Sequence, residues 1–356
     1  MLKLAKNIGK LMDIILASSQ SAKKALYIVG HLQQRFANRL NELSKRLGED
    51  KEFEEISWLR DGGLHGGGNR FEARDEKLFN RASVNVSQIH YDETPEKNLK
   101  SATAISTIIH PRNPHVPSVH IHISLTELRD GSSYWRLMAD LNPAIAYEED
   151  KDKFTEAMRK VAPSTFEEAS QQGDKYFNIP ALDRTRGVTH FYLENYKTDQ
   201  EVNDFAFAQL FGEQVIDTYV EIIDNAYQTR TAISEKDKLE QLAYHTLYLF
   251  QVLTLDRGTT SGLMVHSQND IGIMGSLPSH IDKELLFSWA NKVPSPQEKL
   301  VTALSNAINE KGEVDAKTKE RLAQVVRSHY KEHPEALSMQ ASGNTIPSTV
   351  SNHAKS

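Results

Sequence analysis

The chain has 356 residues, 39% hydrophobic and 25% charged, a length that allows one large domain or two at roughly 150 residues each and a composition that excludes a disordered chain. Forty-two basic against 48 acidic residues leave a net charge of -6, which gives no electrostatic footprint for nucleic acid or an anionic membrane. There is no cysteine, so disulfide scaffolds, thiolate metal sites and cysteine nucleophiles are excluded together.

The first 22 residues carry lysines and a short apolar run that Asp13 interrupts, with no A-x-A cleavage site behind it. They read as an amphipathic extension and not as a secretory signal. No stretch approaches the roughly 18 uncharged apolar residues of a membrane span, so a cytoplasmic protein is expected. Leu26, Val29, Phe36, Leu40, Leu43 and Leu47 recur at helical spacing, and Gly48 is placed to stop that helix. A glycine-dense stretch, RDGGLHGGGNR, precedes a strand marked by Val84, Val86 and Ile89. Two further strands are predicted at 103–110 and 118–125, separated by HPRNPHVPS. In the second, Val119, Ile121, Ile123 and Leu125 alternate with His120, His122 and Ser124. A period of two puts the aliphatics in the core and the polar trio toward solvent or a cleft.

Residues 148–172 read as helix, 187–194 as a short strand, and Phe207, Phe211, Val215, Tyr219 and Ile222 as one face of a second long helix. After a helix near 234–244, the run LYLFQVLTL reads as a buried strand, and GLMVH and DIGIMG as two short ones. About seven strands interleaved with helices result. The pattern is helical from Pro296 to about Leu337, and the tail from Ser338 is polar and aperiodic. The organisation expected is an extension over 1–22, a main domain over 23–300, a helical extension over 301–337 and a tail over 338–356.

Four features could carry chemistry. Gly62, Gly63, Gly66, Gly67 and Gly68 could offer backbone N–H groups to an anion, but no phosphate-loop fingerprint surrounds them. His120 and His122, with His110, His115 and Glu127 nearby in sequence, resemble the start of a two-histidine, one-carboxylate metal site, or simply line a cleft. Pro111, Pro114 and Pro117 pre-set a rigid loop able to position site residues. Asp256, Arg257 and Gly258 could form a charge-paired turn.

The blocks W-x-R-x-G-G-x-x-G-G-G (58–68), VNVSQIH (84–90), HPRNPHVPSVH (110–120), ADLNP (139–143), KYFNIP and TRG (175–187), DRGTTSGL (256–263) and IMGSLP (273–278) together resemble the oxygen-dependent coproporphyrinogen III oxidases. The resemblance implies an α+β fold with a large, flat antiparallel sheet of about seven strands sandwiched between helices, usually as a homodimer. It implies a haem-biosynthetic oxidative decarboxylation of two propionates of coproporphyrinogen III to vinyl groups, giving protoporphyrinogen IX, with molecular oxygen as co-substrate and no cofactor or metal.

Carried over residue by residue, Ser106 and His110 match substrate-loop positions, His120 the general acid, Asp140 the carboxylate facing the pyrroles and Arg186 a cleft arginine; Asp256 and Arg257 persist. Other positions depart from the family. Its His-x-Asn-x-Arg is here His120-Ile-His122-Ile-Ser124, and W-F-G-G-G is Trp135-Arg136-Leu137-Met138-Ala139. Gly-Gly-Arg is His266-Ser267-Gln268, R-G-R-Y is His245-Thr246-Leu247-Tyr248, and Lys153 and Ala181 replace histidines seen in bacterial members. His122, Ser124, Arg257 and Gln268 are accordingly the expected substrate contacts beside Ser106 and His110. Three readings compete: a coproporphyrinogen oxidase, a non-catalytic member that binds a tetrapyrrole or another ligand in the same cleft, and, behind both, metal-dependent oxidase chemistry at His120 and His122. The homodimer is expected to form near 248–277, where LYLFQVLTL as a strand would leave apolar surface for a partner.

Overall fold

Alternation in the middle of the chain builds the structure's one large sheet. The computed structural model describes residues 14–49, 51–73, 77–266 and 268–344. Strands β1 (Glu54–Leu59), β2 (Gly66–Ala73), β3 (Phe79–His90), β4 (Leu99–Pro111), β5 (Ser118–Leu128) and β6 (Ser133–Asn142) follow one another as antiparallel neighbours. After helices α1 (Gln20–Arg46), α2 (Glu148–Val161) and α3 (Phe166–Tyr176) and the small β7–β8 hairpin (Asn178–Ile179, Arg184–Thr185), strand β9 (Thr189–Tyr196) pairs with β6 and completes a seven-stranded antiparallel sheet. The α+β expectation holds.

The sheet has one dry face and one polar face. Val119, Ile121, Ile123 and Leu125 of β5 are buried with Ile105 and Ile109 of β4 and Leu137, Ala139 and Leu141 of β6. Onto this face pack α1, through Ile28, Val29, Leu32, Phe36 and Leu40, and α4 (Glu201–Thr229), through Phe211, Val215, Tyr219 and Ile222. Helix α1 begins where the Ser19 hydroxyl accepts the Ala22 N–H as N-cap and ends with Lys45 and Arg46 in its last turn, a positive end matched to the helix dipole. Gly212 sets how closely α4 approaches: a Cβ there would stand 2.5 Å from Leu32 Cδ1 and 2.9 Å from Ile123 Cδ1.

Against the polar face lies a second, helical core. It comprises α5 (Glu235–Thr254), α6 (Arg257–Val265), α7 (Asp270–Ile273), α8 (Lys283–Ser288), α9 (Gln297–Ala307) and α10 (Ala316–Glu332), buried around Leu249, Phe250, Leu253, Leu286, Leu300, Leu304, Leu322 and Val326. Helix α9 runs across residue 300.

Several local expectations are corrected. LYLFQVLTL is the C-terminal half of α5, and every residue from Tyr244 to Thr254 is buried. A helix enclosed on all sides is apolar on all sides, so a nine-residue window cannot separate it from a buried strand. The Ser234–Asp237 capping box shows where the whole helix starts. GLMVH lies in and just after α6, and DIGIMG forms α7 and a 3-10 turn. The apolar surface that motivated a dimer near 248–277 is thus covered within the chain. Residues 148–172 form two helices broken near Pro163, and β1, β2 and β6 were not anticipated, Gly66, Gly67 and Gly68 lying in β2 and not in a loop.

The expected amphipathic extension over 1–22 falls largely outside the described residues. From Ile14 to Ser18 the chain is not helical: the Ile15 N–H donates to the Gly63 carbonyl at 2.9 Å and the Ala17 N–H to Gln88 Oε1 at 3.0 Å. The tail's first residues do join the core. Gln340 Nε2 donates to Thr260 Oγ1 at 2.6 Å, the Ala341 N–H to the Leu255 carbonyl at 3.0 Å and Arg257 Nε to the Ala341 carbonyl at 2.8 Å, so polar bonds hold a segment that has no apolar pattern.

Gly212→Val should lower stability by about 1–3 kcal/mol through overpacking, more than the up to ~1 kcal/mol that removing a helix-interior glycine returns. Denaturant titration should show a lower midpoint at unchanged slope.

Candidate active site

The residues on the polar face are fixed by register. Ser106 opposes His122, His120 opposes Asp140, Ser124 opposes Arg136, and Asp140 in turn opposes His190. Between this face and α5–α7 lies a cleft of two adjoining lobes, about 240 and 280 Å³, together within the ~300–1,000 Å³ of small-molecule sites. The first is walled by Ser106, His120, Met138, Tyr176, Arg186 and Asp256, the second by Arg60, Ser124 and Tyr134. Asn85, His122 and Arg136 border both.

Asp140 anchors the first lobe from behind. Its carboxylate accepts from His120 Nδ1 at 2.7 Å, Arg186 Nη2 at 2.7 Å and Asn142 Nδ2 at 2.6 Å, and it is 0% exposed. Burial alone would raise its pKa, but the Arg186 guanidinium and His120 reverse this and hold the carboxyl well below the usual carboxylate range. The anion fixes the His120 tautomer, since Nδ1 must carry the donated proton, and leaves Nε2 for the cleft. Arg186, 2% exposed, is held on its other side by Gln251 Oε1 at 2.9 Å and packs over the rings of Phe177 and Tyr248.

This placement differs from the sequence expectation. Asp140 is not among the residues that wall the cavity; it hydrogen-bonds His120 and Arg186, which do reach the cavity wall. The carboxylate that reaches the cavity is Asp256, N-cap of α6, which accepts from Thr259 N–H at 2.6 Å and from the Tyr176 hydroxyl at 2.9 Å. Burial, with Asp256 beside it, pushes the Tyr176 phenol well up, so it stays protonated and donating.

Ser106, His120, His122, Ser124 and Arg186 are brought together around the cleft; His110, Arg257 and Gln268 are not. His110 is 0% exposed and ties β4 to the helical core, with Nε2 toward the Ser276 carbonyl at 3.1 Å and Nδ1 toward the Ser118 hydroxyl at 3.0 Å. Burial and neighbouring His245 push its pKa well down, which keeps it neutral. Arg257 Nε donates to the Ala341 carbonyl at 2.8 Å. Gln268 is exposed and accepts from the Asp61 N–H at 3.2 Å.

Arg136, Met138 and Tyr176 were not selected as site residues from the sequence, and Asp256 was read there as part of a charge-paired turn. Counting back by twos from Asp140 gives Met138, Arg136 and Tyr134, all on the cleft face, so the period of two would have found three of the lining residues. No such rule reaches Tyr176, which arrives from α3 at the sheet edge. Among the described residues no group of three or more His, Asp or Glu is placed to hold a metal ion.

Asp140→Asn should cost about 3–5 kcal/mol near neutral pH, because Arg186 is left buried without its counter-charge. The wild-type carboxyl titrates near pH 3.9 when unfolded and well below that when folded, so its stabilisation is present above about pH 4 and fades as pH falls through the lower folded value. Paired denaturation curves should therefore converge on acidification; a gap independent of pH would remove the charge from the account.

None of the described helices is long and apolar enough to cross a membrane. The sequence model of the coproporphyrinogen III oxidase family matches residues 25–309, a span that contains every residue lining both lobes. The chain therefore belongs to the coproporphyrinogen III oxidase family.

Proposed function

We propose that the cleft binds coproporphyrinogen III and oxidatively decarboxylates its propionates with molecular oxygen and no cofactor, as a cytoplasmic, homodimeric enzyme of haem biosynthesis. The observation that carries the reading is the His120–Asp140 pair at the wall of a cleft open to a small molecule, within a chain of this family. Each propionic acid side chain and one O₂ give one vinyl group, CO₂ and H₂O₂. The electron-rich pyrrole passes two electrons to oxygen and recovers them as the bond to the carboxyl carbon breaks. One proton leaves from the side-chain carbon next to the ring and one is the original carboxyl proton.

His120 Nε2 handles the carbon-bound proton, and Asp140 stabilises the imidazolium that forms, as in other carboxylate–histidine pairs. Asp256 accepts a pyrrole N–H, adding electron density where oxygen draws it. Tyr176 holds Asp256 in place.

A second reading, binding without turnover, is favoured by one feature: each cleft arginine has an acidic partner, Arg186 with Asp140, Arg136 with Glu194 and Arg60 with Asp61. A tetracarboxylate meets little surplus positive charge.

Anaerobically prepared coproporphyrinogen III, exposed to oxygen with the protein and followed by product chromatography, separates the two. Vinyl products from wild type, with turnover reduced about 10²–10⁴-fold in His120→Gln and binding kept, are expected. Saturable coproporphyrin fluorescence without product would establish the second reading instead, and no binding would end both. Light scattering should give a dimer at micromolar concentration.

A further inference from the structure

At the waist where the two lobes meet, one guanidinium keeps an edge uncommitted. Arg136 projects from β6 with Nε and Nη2 both directed to the same oxygen, Glu194 Oε1 on β9, the Nε distance being 3.0 Å. Glu194 is nearly sealed, its side chain 2% exposed, and its second oxygen is buried without a partner. It is fixed in place and fixes Arg136 with it. Five N–H donors point from a guanidinium, and this arrangement spends only one side of the fork. The Nη1 nitrogen makes no hydrogen bond to another described residue, and the Arg136 side chain is 16% exposed and borders both lobes.

The other two arginines in the walls differ. Arg186 is enclosed between Asp140 and Gln251, under two rings. Arg60 donates to the Tyr91 hydroxyl and to the Val265 carbonyl, both at 2.9 Å, and pairs with Asp61. Beside Arg136 on the neighbouring strand stand Ser124, its cross-strand partner, and His122, whose Nε2 lies 3.0 Å from the Ser124 hydroxyl. This is a donor-bearing concavity; the one carboxylate among the described lining residues, Asp256, belongs to the first lobe and accepts from Tyr176 and the Thr259 N–H.

We propose that Arg136, with His122 and Ser124, forms a subsite for a single ligand carboxylate at the waist of the cleft. Arg136 Nη1 supplies the charged donor and the Ser124 hydroxyl a neutral one, His122 Nε2–H donating to the Ser124 oxygen and so turning that hydroxyl's proton toward the ligand, and Glu194 positions the fork from behind. A guanidinium edge and a hydroxyl on directly paired residues suit a compact carboxylate. The cation missing at position 124 is in this way provided from the adjacent strand at the paired position. Identifying the whole ligand as a tetrapyrrole rests on the proposed function; the subsite specifies only its carboxylate.

The test uses two ligands and three proteins. Pyrrole-3-propionate and its methyl ester are titrated by saturation-transfer NMR, and coproporphyrin III by fluorescence, against wild type, Arg136→Gln/Glu194→Gln and Ser124→Asp. The double variant removes the pair without stranding a buried carboxylate; Ser124→Asp keeps Arg136 and fills the subsite with a tethered carboxylate. Wild type should prefer the acid over the ester about tenfold, and both variants should lose that preference while circular dichroism is unchanged. If either variant folds and keeps the preference, or if wild type holds acid and ester alike, the subsite is refuted whatever coproporphyrin does. An acid preference that both variants abolish, with no coproporphyrin binding to wild type, sustains the subsite and overturns the tetrapyrrole reading.

Discussion

The Asp140 carboxylate is the interaction on which the polar half of the molecule depends. It sits where the sheet, the β8–β9 connection and α5 meet, and it joins all three: His120 from β5, Arg186 from the turn before β9, and Gln251 of α5 through Arg186. A buried charge of this kind is costly unless it is fully paired. Here three donors meet two oxygens, so the cost is met by geometry that cannot relax in one partner without exposing another.

Around this anchor the cleft is made of matched charges and not of a surplus. Each cleft arginine has its own carboxylate, and the two positioning acids, Asp140 and Glu194, lie behind their cations as seen from the cavity. What a ligand meets is a set of directed donors and acceptors of nearly zero net charge. Such a surface discriminates by shape and hydrogen-bond direction more than by total charge, which distinguishes a molecule with one well-placed carboxylate from a polyanion in general.

Much of this was legible from the sequence where a strict period of two applied. His120, His122 and Ser124 were placed on one face by their alternation with Val119, Ile121 and Ile123, and the sheet sets that face toward the cleft. The same rule, applied to 134–140, would have added Tyr134, Arg136 and Met138, but Leu137, Ala139 and Leu141 disguise it: with Met138 also apolar, the strand reads as a continuous run. Depth along the face was not legible. Alternation says that Asp140 points to the polar side, whereas its withdrawal behind His120 depends on Arg186 and Asn142, and Arg186 lies 46 residues away. The α5 misreading has a separate origin, since burial from all sides erases both periodicities.

The site and the dry core share one set of strand alignments. His120 with Asp140, His122 with Met138 and Ser124 with Arg136 are direct rungs between β5 and β6, and the residues between them, Ile121 with Ala139 and Ile123 with Leu137, are rungs of the apolar face. Position along these strands is therefore quantised in two ways. A slip of one residue would drive histidines into the layer beneath α1 and α4, an error the hydrophobic core rejects. A slip of two would keep the apolar residues on the apolar face yet set His122 against Asp140 and move Ile123 away from Gly212, so alternation enforces parity alone, and the choice among even alignments falls to close packing together with the charges of the cleft.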